Sequence, residues 1–167
     1  HFNLGRILYE IGDAASAARS LDRAVALKPD WVRAWYRLAL ACSEGGDPVR
    51  AMECVDRALR LDPGMTDAIG ERAALKLQRG DAEGYADDLR RMRDLGAKPA
   101  QHFYQRGRWR VERGRIQEAA LDFRRAYELD PDHVPNLIAM GRVLREVDPR
   151  QSIRHLDRAI ELDPTHA

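Results

Sequence analysis

Cys42 and Cys54 are the only cysteines in this chain of 167 residues. A tetrahedral zinc site needs four ligands, and no histidine pair at helical spacing accompanies the two thiols. A free cysteine otherwise behaves as a small apolar residue that is usually buried. We therefore predict that Cys42 and Cys54 are buried, reduced thiols and that the chain holds no metal or other cofactor.

No other group of residues has the pattern of a catalytic site. The sequence contains no glycine-rich phosphate loop, no nucleophile elbow and no HExxH zinc motif. Carboxylates such as Asp87 and Asp88 are predicted to lie on a charged helix face, in contact with water. We predict that the chain is not an enzyme, although it could be the non-catalytic region of a larger one.

The composition is typical of a folded, helix-rich protein. Hydrophobic residues make up 44% and charged residues 33% of the chain, and the net charge is +1. These values differ from those of disordered chains and of membrane proteins. No apolar run approaches the roughly 18 residues that a membrane span needs, so we predict no membrane span. The chain begins with His1 and stops where a further helix would start, and we expect it to be truncated at both ends.

Evenly spaced glycines mark a repeated turn. They are Gly12, Gly46, Gly80 and Gly114, and an aspartate follows each of the first three. The number of residues from one of these glycines to the next is constant, and it defines the period of the repeat. A glycine with a positive φ can end one helix, and the aspartate after it can cap the next helix by accepting backbone N–H bonds. Each pair therefore predicts a tight turn between two helices.

Alanines and prolines repeat in phase with these glycines. The alanines are Ala24, Ala58, Ala126 and Ala159, and the prolines are Pro29, Pro63, Pro131 and Pro164. Alanine fits where two helices cross closely, and proline cannot continue a helix. Because the apolar residues between these markers recur at about every 3.6 positions, we predict antiparallel helices. Their predicted bounds are residues 1–11, 14–27, 31–45, 48–61, 65–79, 82–95, 100–113, 116–129, 133–147 and 149–162. The two cysteines then fall on the two helices of one hairpin, where they could approach each other.

These series resemble the pattern of the tetratricopeptide repeat family, which is W-x2-L-G-x2-Y, then A-x3-F-x2-A, then a closing proline. The second repeat, for example, has Trp35, Leu38, Ala51, Val55, Ala58 and Pro63. The resemblance covers essentially the whole chain and implies an all-α, right-handed α-solenoid of about ten antiparallel helices. It implies a single array of repeats at about residues 1–31, 32–65, 66–99, 100–132 and 133–165.

Several repeats depart from the family pattern. Arg72 replaces the expected leucine of repeat 3, and the closing proline of that repeat, Pro99, comes two residues late. Arg106 and Arg110 occupy leucine and tyrosine positions of repeat 4. Repeat 5 lacks one residue at its turn. We expect the second helix of repeat 3 to pack differently and the repetition to be weakest over residues 68–99.

The resemblance also implies that the first helix of each hairpin lines a concave surface. The first helices carry a net positive charge and the second helices a net negative charge. Arginine can form bidentate bonds to carboxylates, and tyrosine adds apolar area at little entropic cost. We predict that the concave groove binds a protein or peptide with acidic and apolar residues. The predicted binding residues are Arg6, Tyr36, Arg37, Tyr104, Arg108, Arg142 and Arg145.

Other interpretations of this surface stay open. Tyr36 and Tyr104 could pack between hairpins while the arginines contact only water. A basic inner face also suits a helical-repeat module that binds RNA, but the near-neutral net charge and the closing prolines favour a protein partner. The lysine and asparagine clamp by which some family members hold chaperone tails is absent. Self-association through exposed terminal repeats is a further alternative.

Overall fold

The computed structural model describes residues 1–166, which contain ten α-helices and no strand. Consecutive helices pair as hairpins 1 to 5. The helices are α1 (Phe2–Glu10), α2 (Ala14–Leu27), α3 (Val32–Glu44), α4 (Pro48–Leu61), α5 (Thr66–Gln78), α6 (Ala82–Asp94), α7 (Pro99–Glu112), α8 (Ile116–Leu129), α9 (Val134–Leu144) and α10 (Pro149–Leu162). The predicted all-α chain of ten helices is confirmed.

The glycine turns have the predicted conformation. The four evenly spaced glycines have φ angles between 70° and 89°. In hairpins 1 to 3, the following aspartate accepts a hydrogen bond from a backbone N–H, as Asp13 does from Ser16 at 2.9 Å. Hairpin 5 has no such glycine, yet Asp148 caps α10 in the same way. The segment between its helices has four residues rather than the three of the other hairpins, because α9 ends at Leu144 and not at the predicted residue 147.

Small residues allow the two helices of a hairpin to approach closely. A Cβ atom at Gly107 would lie 2.6 Å from the ring of Phe123, and the glycines of hairpins 1 and 5 meet a leucine in the same way. The alanines predicted at helix crossings are buried, and Ala58 and Ala126 have no exposed surface. The helices therefore pack at distances that larger side chains would prevent.

Hairpin 3 contains a buried ion cluster. Arg72 of α5 donates hydrogen bonds of 3.0 and 2.5 Å to Asp88 of α6, and these bonds raise the pKa of Arg72. The Nζ atom of Lys76 lies 2.9 Å from the same carboxylate, and Arg72 also reaches Asp56. Only 2% of Asp88 is exposed, so our prediction that it contacts water is wrong. Packing of α6 against α5 buries Asp88, whereas its neighbour Asp87 is exposed.

Hairpin 4 has a similar cluster at the equivalent positions of the next repeat. Arg106 donates hydrogen bonds of 3.0 and 2.6 Å to Asp122, and Arg110 donates one of 2.8 Å. Asp122 is also 2% exposed. The arginines that depart from the family pattern thus have a carboxylate partner inside their own hairpin. The corresponding positions of hairpin 2 hold Leu38, Cys42 and Cys54.

The chain forms two compact units, which we call the N-terminal unit (His1–Ala97) and the C-terminal unit (Lys98–Ala167). The boundary falls in the repeat that we predicted to be the most irregular. Gly96, with φ of 77°, follows the end of α6 there. Pro99 is not the closing proline that we predicted. It is the first residue of α7, where the missing N–H of proline costs no helical hydrogen bond.

Candidate functional site

A groove of about 450 Å³ lies between α7 and α9 of the C-terminal unit. Three of the predicted binding residues, Tyr104, Arg108 and Arg142, line it. Its other lining residues are mostly apolar and come from three helices. They are Val111, Glu112, Phe123, Pro135, Ile138, Ala139 and Val143. An apolar groove bordered by two guanidinium groups can accept an apolar side chain next to a carboxylate.

Tyr104 and Arg108 are one helical turn apart on α7, which places them on the same side of the helix. The guanidinium carbon of Arg108 lies 5.8 Å from the centre of the Tyr104 ring, which is a cation–π contact. The Tyr104 ring also packs edge-on against His133, with the ring centres 4.9 Å apart. Tyr104 therefore both packs between two hairpins and lines the groove.

His133 fixes the start of α9 beside this ring. Its Nδ1 atom accepts a hydrogen bond of 3.2 Å from the backbone N–H of Asn136, and its Nε2 atom lies 3.0 Å from the Gln101 side chain. Burial lowers the pKa of His133, while Asp130 raises it and Lys98 lowers it. Because the lowered pKa favours a neutral imidazole, the positive charge of the groove comes from its arginines.

Arg145 does not line the α7–α9 groove. It lines a second cavity of about 340 Å³ between α9 and α10, together with Leu156 and Ile160. Ile138 and Arg142 line both the groove and this cavity. Arg142 is therefore placed to contact a ligand in either space, and Arg145 only in the second.

The other predicted residues belong to the N-terminal unit. Arg6 forms an ion pair with Glu10 on its own helix, with an N–O distance of 2.5 Å. Tyr36 and Arg37 lie on α3 and are both half-buried. Arg6 thus already has a carboxylate partner, unlike the arginines of the α7–α9 groove.

The apolar lining of the groove was only partly predictable. Ile138 occupies the position in its repeat that Tyr104 occupies in the repeat before it, but Val111 and Val143 belong to no such series. Val111 lies seven residues after Tyr104, a spacing that returns to the same helix face. That spacing is the signal by which the sequence could have indicated Val111.

No group of three or more histidine, cysteine, aspartate or glutamate side chains in the described residues could hold a metal ion. None of the described helices is long and apolar enough to cross a membrane.

Comparison with known proteins gives a family match for the first part of the chain and a fold match for nearly all of it. A model of the tetratricopeptide repeat family matches residues 2–66. The crystal structure of MamA is 17% identical, with a TM-score of 0.61 over 99% of this chain and 98% of that chain. YrrB, described as a TPR protein with an unusual peptide-binding site, is 20% identical, with a TM-score of 0.57 over 99% of this chain and 86% of that chain.

PilF of Pseudomonas aeruginosa is 17% identical, with a TM-score of 0.60 over 96% of this chain and 73% of that chain. No curated protein sequence matches the chain. At these identities the similarity to solved structures shows the fold alone, which is an all-α solenoid. The family match assigns residues 2–66 to the tetratricopeptide repeat family, and the solved structures show the same all-α solenoid fold over nearly the whole chain.

Proposed function

We propose that the chain is a non-catalytic protein-interaction module and that its α7–α9 groove binds a peptide segment with acidic and apolar residues. The contrast between the arginines of the C-terminal unit supports this proposal. Arg106 and Arg110 point into hairpin 4 and share Asp122. Arg108 and Arg142 are exposed at the groove, and neither forms an ion pair with a carboxylate among the described residues.

A peptide would gain two kinds of contact in this groove. A carboxylate would pair with Arg108 or Arg142, and an adjacent apolar side chain would cover Ile138 and Val143. A charge-assisted bond that is shielded from water contributes about 1.5–3 kcal/mol, whereas an exposed ion pair contributes less than about 1 kcal/mol. Burial of the carboxylate by the neighbouring apolar contact would therefore determine the affinity.

The peptide-binding site named for YrrB is consistent with this proposal, because that protein has the same fold. In the N-terminal unit, we propose Tyr36 and Arg37 as contacts for a further part of the partner. Arg6 would have to exchange Glu10 for a partner carboxylate, so we expect a smaller contribution from it.

Selection from a phage-displayed library of random peptides tests the proposal. We expect the selected peptides to combine Asp or Glu with Leu, Ile or Phe. Their affinity for the variant with Arg108→Glu and Arg142→Glu should fall by roughly tenfold or more, and binding should weaken as salt rises. The affinity is measured by fluorescence anisotropy, and circular dichroism checks that the variant keeps its helices.

The matched control reverses two exposed arginines of the same unit, Arg124→Glu and Arg154→Glu. This variant has the same net charge as the groove variant but an unchanged groove, so we expect it to bind the peptides normally. Equal loss in the two variants would mean that the selected peptides bind elsewhere. Tight binding of random-sequence RNA by the unmodified chain, lost in the groove variant, would favour the RNA-binding alternative.

A further inference from the structure

The two cysteines occupy a pair of positions whose side chains meet across a hairpin. Cys42 lies on α3 and Cys54 on α4. The equivalent positions of hairpin 3 hold Lys76 and Asp88, whose Nζ and Oδ2 atoms are 2.9 Å apart. In hairpin 4, the same two positions again hold an ion pair, with an N–O distance of 2.8 Å. The repeat geometry therefore directs the side chains at these two positions toward each other.

The thiols of hairpin 2 occupy these two facing positions. Both cysteines are buried, with 4% of each exposed. A hydrogen bond with the Cys54 thiol lowers the pKa of Cys42. Burial raises this pKa, the charge of Arg50 lowers it, and Asp22 and Asp47 raise it, but the lowering prevails. The same hydrogen bond and burial raise the pKa of Cys54. Cys42 is thus the thiol that ionises more readily, and Cys54 is the one that remains protonated beside it.

We propose that Cys42 and Cys54 form a redox pair that a peroxide oxidises to a disulfide between α3 and α4. The disulfide requires the two facing sulfurs to approach to the bond length of about 2.05 Å. This site lies outside the peptide groove, and its reactivity does not depend on the proposed function. It adds to the tetratricopeptide fold a covalent link whose formation depends on oxidants.

The reaction balances with hydrogen peroxide as the oxidant. The Cys42 thiolate attacks one peroxide oxygen, the O–O bond breaks, and Cys42 becomes a sulfenic acid while hydroxide leaves and is protonated to water. The Cys54 sulfur then attacks the Cys42 sulfur, the S–O bond breaks, and the departing hydroxide takes the Cys54 proton. Two thiols lose two electrons, and one peroxide is reduced to two waters.

Oxidation of the folded chain with hydrogen peroxide tests this proposal. Intact mass spectrometry should show the loss of two hydrogen atoms, and peptide mapping should show Cys42 joined to Cys54. Dithiothreitol should restore both thiols. In glutathione buffers, the equilibrium constant for disulfide formation should be roughly tenfold or more higher in the folded chain than in urea, because the fold holds the thiols together.

Single serine variants assign the roles of the two thiols. In Cys54→Ser, dimedone should trap a sulfenic acid at Cys42, and no disulfide should form. In Cys42→Ser, the remaining thiol should react with peroxide roughly tenfold or more slowly, because it ionises less readily. Circular dichroism checks the fold of both variants.

Three outcomes would overturn the proposal. The first is a folded chain that peroxide leaves unreacted, although its thiols react in urea. The second is a disulfide that joins two chains rather than Cys42 to Cys54. The third is an equilibrium constant that is no higher in the folded chain than in urea.

Discussion

Neighbouring charged residues of α6 have opposite environments because they lie on different sides of the helix. Asp87 is exposed and forms an ion pair with Arg90 one turn later. Asp88 is buried and pairs with Arg72 and Lys76. A surface ion pair contributes little to stability, whereas loss of one partner from a buried pair leaves an uncompensated charge.

Asp88→Asn should therefore lower the free energy of unfolding by about 3–5 kcal/mol, because Arg72 and Lys76 would lose their carboxylate. The matched control is Asp87→Asn on the same helix, which should cost less than about 1 kcal/mol. Urea denaturation followed by circular dichroism measures both values. Similar losses in the two variants would show that the buried ion cluster does not stabilise hairpin 3.

At the scale of the helices, hairpins 2 and 3 have different side chains at three equivalent positions. Hairpin 3 has Arg72, Lys76 and Asp88, whereas hairpin 2 has a leucine and two cysteines there. A buried ion cluster can often be replaced by apolar residues at little cost, provided that all of its members change together. The three positions thus form one unit of packing between two helices.

Transfer of that leucine and both cysteines into the equivalent positions of hairpin 3 tests this interpretation. Asp88→Cys alone should cost about 3–5 kcal/mol, because it removes the buried carboxylate that pairs with two half-buried cations. The triple variant Arg72→Leu, Lys76→Cys and Asp88→Cys should recover most of that loss, because the buried carboxylate and its two cations are then removed together. Urea denaturation under reducing conditions provides the measurement. A triple variant that is less stable than Asp88→Cys would contradict the equivalence of the three positions.

At the scale of the whole molecule, each unit depends on the stacking of hairpins, because a single hairpin cannot bury its apolar face alone. Within the C-terminal unit, α8 buries four of its residues, including Phe123. By contrast, α10 buries only Ser152 and Ala159 among those described, and it exposes Ile153 and Ile160. Stability should therefore be unevenly distributed along this unit.

Hydrogen exchange measured by mass spectrometry should reveal this difference. The amides of α10 should exchange roughly tenfold or more faster than those of α8, because local opening of α10 exposes less apolar surface. Peptides from Ile116–Leu129 and Pro149–Leu162 provide the comparison within one sample. Equal protection of the two helices would indicate that the unit opens only as a whole.

The sequence alone was sufficient to predict the helices, because their ends depend on local chemistry. A glycine with a positive φ, an aspartate cap and a proline act through the backbone of their own turn. Those markers therefore gave ten helices whose bounds agree closely with the structure. The choice of Tyr104, Arg108 and Arg142 as neighbours also followed from the repeat, since residues one period apart occupy equivalent positions in successive hairpins.

The tertiary structure decided which polar groups are buried and where cavities form. Asp88 and Asp122 have charged partners on another helix, and no local pattern distinguishes either of them from an exposed carboxylate such as Asp87. Local patterns likewise did not indicate that Arg145 lines a separate cavity or that Pro99 begins α7. Burial and enclosure depend on how helices pack against one another, and that packing involves residues distant in the sequence.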